Sequence, residues 1–74
     1  MFKYYRKFIW EVMNNAVEDL LGEDFDSNNE TDKEAMTSLA RACGRGYLCC
    51  LMERNIISDK ASTKLWKYID NFQA

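Results

Sequence analysis

The apolar residues of this chain recur mostly three and four positions apart, which is the spacing of one face of an α-helix. Proline is absent, and turn-forming residues cluster only in residues 22–31 and 55–58. The pattern predicts an all-α fold, a small three-helix bundle in a single domain over residues 1–74. We place its helices at about residues 2–21, 32–54 and 59–72, with an acidic connecting loop at about residues 22–31.

Residues at the two predicted connections indicate how the helices end and begin. Gly22 can close the first helix in the left-handed conformation. Thr31 followed three residues later by Glu34 forms a capping-box pattern, so we expect the second helix to begin there. Asn55 can adopt the left-handed conformation at the end of the second helix, and Ser58 is suited to cap the third.

The first predicted helix is apolar around a wide arc. A surface helix is usually apolar over little more than about 100°, whereas aromatic side chains here widen the apolar arc to roughly twice that. Two further short helices would leave part of this surface exposed, and an exposed apolar patch usually marks an interface. We therefore expect a homodimer, with Tyr4, Phe8 and Trp10 as candidate interface residues. The alternative is that these side chains lie half-buried at the rim of a monomeric core.

The second predicted helix carries two rows of residues. The row expected to face the core consists of Met36, Leu39, Ala40, Cys43, Tyr47, Cys50 and Leu51. The row beside it contains small residues, and three of them, Ala42, Gly46 and Cys49, are further candidates for the dimer interface. Glycine inside a helix is unfavourable by about 1 kcal/mol relative to alanine, so Gly44 and Gly46 indicate close approach of another helix, with a local kink as the alternative.

The composition limits the chemistry that the chain can perform. The 74 residues include no histidine and three cysteines, which fits neither a zinc site nor a disulfide framework. We expect reduced thiols in the core of a cytoplasmic protein, with no cofactor and no metal. No apolar run approaches the roughly 20 residues of a membrane span. Without histidine, no residue is set up for acid–base catalysis, so we expect no catalytic residue and no enzyme.

The net charge of −2 hides a strong asymmetry. Eight of the twelve acidic residues lie in residues 18–34, where Lys33 is the only base, so this segment carries −7 and the remainder +5. Such a distribution orients a binding partner through its long-range potential. We expect a protein-binding regulator or inhibitor whose partner has a basic surface, and the candidate contact residues are Glu23, Asp24, Phe25, Asp26 and Glu30. The alternative is a solvated connector without a binding role.

Two other interpretations follow from short motifs. Asp24, Asp26 and Asn28 match the first ligand positions of a calcium-binding loop, but Ala35 stands where a bidentate glutamate should complete the site. The second and third helices could form a helix-turn-helix that binds nucleic acid, with Lys60, Ser62, Thr63 and Lys64 on its second helix. The candidate nucleic-acid contacts in that alternative are Arg41, Arg45, Lys60, Lys64 and Lys67. The acidic segment disfavours it, because nucleic-acid-binding domains are usually basic.

Overall fold

The computed structural model describes residues 2–22 and 25–74, without the side chains of residues 2–4. It contains three helices in chain order, α1 (Phe2–Leu21), α2 (Glu30–Glu53) and α3 (Asp59–Asp70), and no strand within the described ranges. The predicted all-α three-helix bundle is therefore confirmed. The bounds of α1 agree with the prediction, whereas α2 begins two residues earlier than expected and α3 ends two residues earlier.

The molecule is a rod one helix long, with extents of 38 × 18 × 18 Å. The 24 residues of α2 account for this length, because an α-helix rises about 1.5 Å per residue. The connection between α1 and α2 folds partly into a turn, in which the Asn29 N–H donates to the Asp26 carbonyl at 3.1 Å. So short a connection makes α1 and α2 an antiparallel hairpin, and α3 packs against both helices.

Side chains from all three helices form the hydrophobic core. Its fully buried members are Ile9, Met13, Ala40, Leu48, Leu65 and Ile69. The first helix contributes Ile9 and Met13 to this core, and the third contributes Leu65 and Ile69. Tyr47, Tyr68 and other partly buried residues pack around the cluster and complete it.

The inward side of α2 differs from the prediction. Its buried residues are Met36, Ala40, Gly44, Leu48 and Leu51. Leu39, Cys43 and Cys50, which were expected in the core, are all exposed. The side of α2 that meets α1 centres on Gly44, where a Cβ would lie 3.0 Å from both Cγ and Sδ of Met13. The close approach predicted for a glycine is therefore confirmed at Gly44.

The beginning of α2 is also corrected. The N-cap is Asn29 and not Thr31, because the Asn29 Oδ1 accepts a hydrogen bond from the Asp32 N–H at 3.1 Å. Asp32 in turn accepts from the Asp26 N–H through its Oδ2 at 2.9 Å, which ties the connection to the first turn of α2. A helix that already begins at Glu30 places Thr31 within its first turn, so the expected capping box of Thr31 and Glu34 is wrong.

Two of the three other predicted helix ends are confirmed. Asn55 has a φ of 56°, and the Ile56 N–H donates to the Leu51 carbonyl at 3.0 Å, which is a Schellman motif. The Ser58 Oγ accepts from the Ala61 N–H at 3.2 Å and caps α3. Gly22 follows the last residue of α1 as predicted, but its φ is not positive, and its N–H continues the helical pattern to the Glu18 carbonyl at 3.1 Å.

Candidate functional site

The residues from Asp70 to the end of the described chain cover one side of α2. Arg41 donates through Nε to the Phe72 carbonyl at 2.9 Å, and Arg45 pairs with the Asp70 carboxylate at 3.1 Å. The Ala74 N–H donates to the Thr37 hydroxyl at 3.0 Å. Both arginines, which were assigned to a nucleic-acid interface in the alternative interpretation, are therefore engaged with the end of α3.

The opposite side of α2 carries no charged residue along most of its length. Between Glu34 and Glu53, the only charged residues of α2 are Arg41 and Arg45, and both lie on the side of α3. We define the open side of α2 as its exposed residues turned away from α3: Leu39, Ala42, Cys43, Gly46, Cys49 and Cys50. Leu39 is 46% exposed, which is high for a leucine in the middle of a helix.

Helix α1 extends this surface. The Arg6 guanidinium lies 5.9 Å from the centre of the Tyr68 ring, so the Arg6 side of α1 faces α3. At 3.6 residues per turn, Phe8 and Val12 then lie on the other flank of α1, next to the open side of α2. Phe8 is 36% exposed and Val12 is partly buried. We call Phe8, Val12 and the open side of α2 together the open face.

The structure separates the dimer-interface candidates predicted from the sequence. Ala42, Gly46 and Cys49 are exposed on the open side of α2, and a Cβ at Gly46 would meet no described atom within 4 Å. Phe8 belongs to the open face. Trp10 is 50% exposed but follows Arg6 by one helical turn, so it lies on the α3 side of α1. The side chain of Tyr4 lies outside the described residues.

The acidic connection lies at one end of the rod. Asp26 accepts through Oδ1 from the Asn28 N–H at 2.9 Å, so this carboxylate helps to fold the connection. Glu30 is exposed and 3.9 Å from the Lys33 ammonium, and Phe25 is partly buried. The other two candidates of this cluster, Glu23 and Asp24, lie outside the described residues.

Basic residues collect at the other end of the rod, where α1 begins, α2 ends and α3 begins. The described members of this basic end are Arg6, Lys7, Arg54, Lys60 and Lys64, which outnumber the acidic Glu53 and Asp59 there. The asymmetry seen in the sequence therefore becomes a separation of charge along the 38 Å axis. The resulting field is oriented along the rod and has opposite signs at its two ends.

The three cysteines are free thiols, and all three are exposed. Their predicted placement in the core is wrong, because the inward side of α2 passes through Gly44 and Leu48 instead. Among the described residues, no group of three histidine, cysteine, aspartate or glutamate side chains is placed to hold a metal ion. The proposed first calcium ligand, Asp24, is outside those residues.

The lysines of the nucleic-acid alternative are exposed on α3 at positions 60, 64 and 67. Ser62, expected beside them on the binding surface, is instead buried at 6% exposure, and its Oγ donates to the Asp59 carbonyl at 2.8 Å. A shallow depression of about 280 Å³ runs next to this row, lined by Met52, Ser62, Thr63, Trp66 and Lys67. Only part of the predicted nucleic-acid surface is therefore presented to solvent.

Within the described part of the chain, no helix is both long enough and apolar enough to span a membrane. Comparisons of the chain with protein-family models, with curated proteins and with solved structures found no significant match.

Proposed function

We propose that this protein is a non-enzymatic, protein-binding regulator or inhibitor that binds through its open face. The observation that supports this most directly is the absence of charge along the open side of α2 from Ala35 to Met52. The outward side of a helix in a soluble protein normally carries charged and polar residues. An exposed helix side without them is characteristic of a surface that another polypeptide covers.

The acidic connection gives this surface an electrostatic component. A partner with a basic surface is attracted to the acidic end over a distance comparable to the Debye length, about 8 Å at physiological ionic strength. Such attraction increases the association rate more than the final affinity. We therefore assign the apolar contact to the open face and the steering to Glu23, Asp24 and Glu30, while Asp26 also folds the connection.

We also propose that the chain forms a homodimer and works in the cytoplasm. A chain of this size buries only about 60% of its unfolded surface, so covering an apolar face by association is an effective source of stability. Exposed thiols persist in reduced form in the cytoplasm, whereas an oxidising compartment converts them to disulfides.

Capture from a cytoplasmic lysate with matched variants tests protein binding. Leu39→Glu places a charge on the open side of α2, whereas Thr63→Glu adds the same charge to an exposed position of α3. We expect specific partners to be retained by the wild type and by Thr63→Glu and to be lost by Leu39→Glu. Identical captured sets from all three proteins would contradict the proposal.

A second capture experiment tests the acidic end. Replacing Glu23, Asp24 and Glu30 by lysine leaves Asp26 in place, and with it the hydrogen bonds that fold the connection. We expect slower association with the same partner at low salt and a smaller difference from the wild type at high salt. An unchanged association rate at low salt would remove the acidic connection from the proposal.

Binding of nucleic acid is the second candidate, and one observation favours it: Lys60, Lys64 and Lys67 are exposed on the same helix as the 39%-exposed Trp66. Non-specific affinity for random-sequence duplex at low salt should then fall steeply as salt is raised. We expect Lys60→Glu combined with Lys64→Glu to abolish it. Absence of binding by the wild type at low salt would exclude this function.

A further inference from the structure

We infer that a second copy of this chain covers the open face, with the two rods side by side and antiparallel. The inference rests on the proposed function in one respect, because both use the open face. It adds to the proposed homodimer the face that the two copies share, their relative orientation and a competition, because a second copy and another protein partner cannot occupy the same face together. Three observations support it: the charge distribution, the dimensions of the rod and the residue sizes along α2.

The charge distribution fixes the orientation. The acidic connection and the basic end lie at opposite ends of a rod 38 Å long. Two antiparallel rods place the acidic end of each copy beside the basic end of the other. Two parallel rods would instead bring together two segments of residues 18–34, each with a charge of −7. Like charges at an interface are destabilising, so only the antiparallel arrangement is complementary.

One whole side of the rod is close in size to the interface that a stable dimer needs. A side of the rod measures 38 Å by 18 Å, which is roughly 700 Å² per copy. Specific protein–protein interfaces bury about 800 Å² per partner. The rod is therefore large enough for a stable interface only if the two copies make contact along most of their length, which side-by-side packing provides and end-to-end packing does not.

The residues of α2 allow two helices to approach closely. Gly46 lies between Cys43 and Cys49 near the middle of the open side, and a Cβ there would meet no described atom within 4 Å. Small residues at a helix–helix contact permit a short interaxial distance, and interaxial distances of 8–10 Å depend on the side chains at the contact. A two-fold axis near Ala42, the residue of the open side at the midpoint of α2, makes the same residues of both copies meet, as in the isologous interfaces of most homodimers.

Sedimentation equilibrium with a charge variant tests the occupant. We expect the wild type at about 100 μM in low salt to have twice the 8.7 kDa mass of the chain. Gly46→Glu should be monomeric at that concentration, and it should still fold, because a side chain at Gly46 enters open space in the monomer. Thr63→Glu, with the same added charge on α3, should remain dimeric. A monomeric wild type would overturn the inference, as would a Gly46→Glu protein that is still dimeric.

A distance measurement tests the orientation. A spin label at Ser27→Cys, in a chain carrying Cys43→Ala, Cys49→Ala and Cys50→Ala, reports on the acidic end alone, since Ser27 is exposed in the connection. In a labelled dimer confirmed by its mass, we expect a separation near the 38 Å length of the rod. A separation near its 18 Å width would show a parallel dimer and overturn the inference.

These outcomes separate the inference from the proposed function. An antiparallel dimer in a protein whose captured partners are indifferent to Leu39→Glu would refute the proposed function and leave the inference standing. A monomeric protein that loses its captured partners on Leu39→Glu would refute the inference together with the proposed homodimer, and it would leave the proposed protein binding through the open face standing. If both hold, the captured partner and the second copy compete, and added partner should convert the dimer into a mixed complex of one chain of each.

Discussion

Gly44 of α2 lies directly against Met13 of α1, so that a Cβ on the glycine would come within 3.0 Å of the Met13 thioether sulfur. Met13 is fully buried, and Ile69 of α3 stands 3.4 Å from the same point through its Cγ1. The three helices therefore meet at a position where α2 has no side chain. Gly46, one-half turn further along α2, has no such neighbour among the described atoms.

This difference predicts opposite effects of the same substitution at the two glycines. Gly46→Ala should raise the free energy of unfolding by about 1 kcal/mol, since alanine is the better helix former and its methyl group enters open space. Gly44→Ala gains the same propensity but overpacks Met13, which costs about 1–3 kcal/mol. We expect no net gain at Gly44 and a loss of up to about 2 kcal/mol.

Urea unfolding at a low micromolar concentration measures both effects, because the stability of an associating protein depends on its concentration. Equal stabilisation by the two substitutions would show that Met13 moves aside without penalty. Methionine is the most adaptable apolar side chain, so a Gly44→Ala, Met13→Leu double variant provides the control. The branched leucine is less adaptable, and it should increase the loss of stability that Gly44→Ala causes.

The N-cap of α2 predicts a second contrast. Asn29→Ala should lower the free energy of unfolding by about 1 kcal/mol, because it removes the acceptor for the Asp32 N–H. Thr31→Ala, in the exposed first turn, should change it by less than about 0.5 kcal/mol. Thermal or urea denaturation distinguishes the two positions. A larger loss of stability from Thr31→Ala than from Asn29→Ala would show that Thr31 caps α2, as the capping-box pattern of the sequence indicates.

The exposure of the thiols predicts their reactivity. Cys43, Cys49 and Cys50 are free and exposed, so a thiol reagent such as dithionitrobenzoate should modify all three in the native protein at low micromolar concentration. The rates should be comparable to those of the urea-unfolded chain, which serves as the reference. A modification rate limited by global unfolding would show that the thiols are buried in the core. At high concentration, dimerisation should slow the reaction in the wild type but not in Gly46→Glu.

Tyr68 predicts a loss of stability at alkaline pH. Burial raises the pKa of the Tyr68 hydroxyl above its ordinary value of 10.0, and the neighbouring Arg6 guanidinium partly opposes this by lowering the pKa. The folded protein therefore holds the phenol proton more tightly than the unfolded chain does. The resulting contribution of Tyr68 to the stability of the folded state is fully present below pH 10.0, and it is lost as the pH rises through the elevated pKa of the folded state.

A Tyr68→Phe variant removes this titration and keeps the ring beside Arg6. Urea midpoints between pH 8 and pH 11 should fall more steeply for the wild type than for the variant. The two proteins differ only in this hydroxyl, so the comparison isolates its contribution to the pH dependence. Superimposable pH profiles would mean that the Tyr68 hydroxyl has the same affinity for its proton in the folded and unfolded chains.

The features that could be predicted from the sequence depend on local interactions. Helical periodicity predicts the three helices, and Asn55 and Ser58 have side chains suited to the left-handed and capping positions that they occupy. At the start of α2, both Asn29 and Thr31 are good capping residues. The choice between them depends on the hydrogen bond from the Asp26 N–H to Asp32, which involves the fold of the connection and not only the helix.

The inward side of α2 could not be predicted from apolar residues alone, because its centre is a glycine. Gly44 contributes nothing to a hydrophobic pattern, so the pattern of α2 places Leu39, Cys43 and Cys50 in the core and omits Leu48. A useful signal was present in the sequence: Arg41 and Arg45 are the only charges between Glu34 and Glu53. Their position marks the side of α3, and the absence of charge elsewhere marks the open side of α2.

The corner after α2 determines which surface of the protein is available to a partner. A single residue with positive φ, Asn55, turns the chain, and α3 begins only four residues after it, at Asp59. So short a link gives α3 access to one flank of the hairpin and not to the other. Apolar residues line both flanks, Met52 on one and Leu39 on the other. The handedness of one backbone turn therefore selects which flank becomes interior and which remains a binding surface.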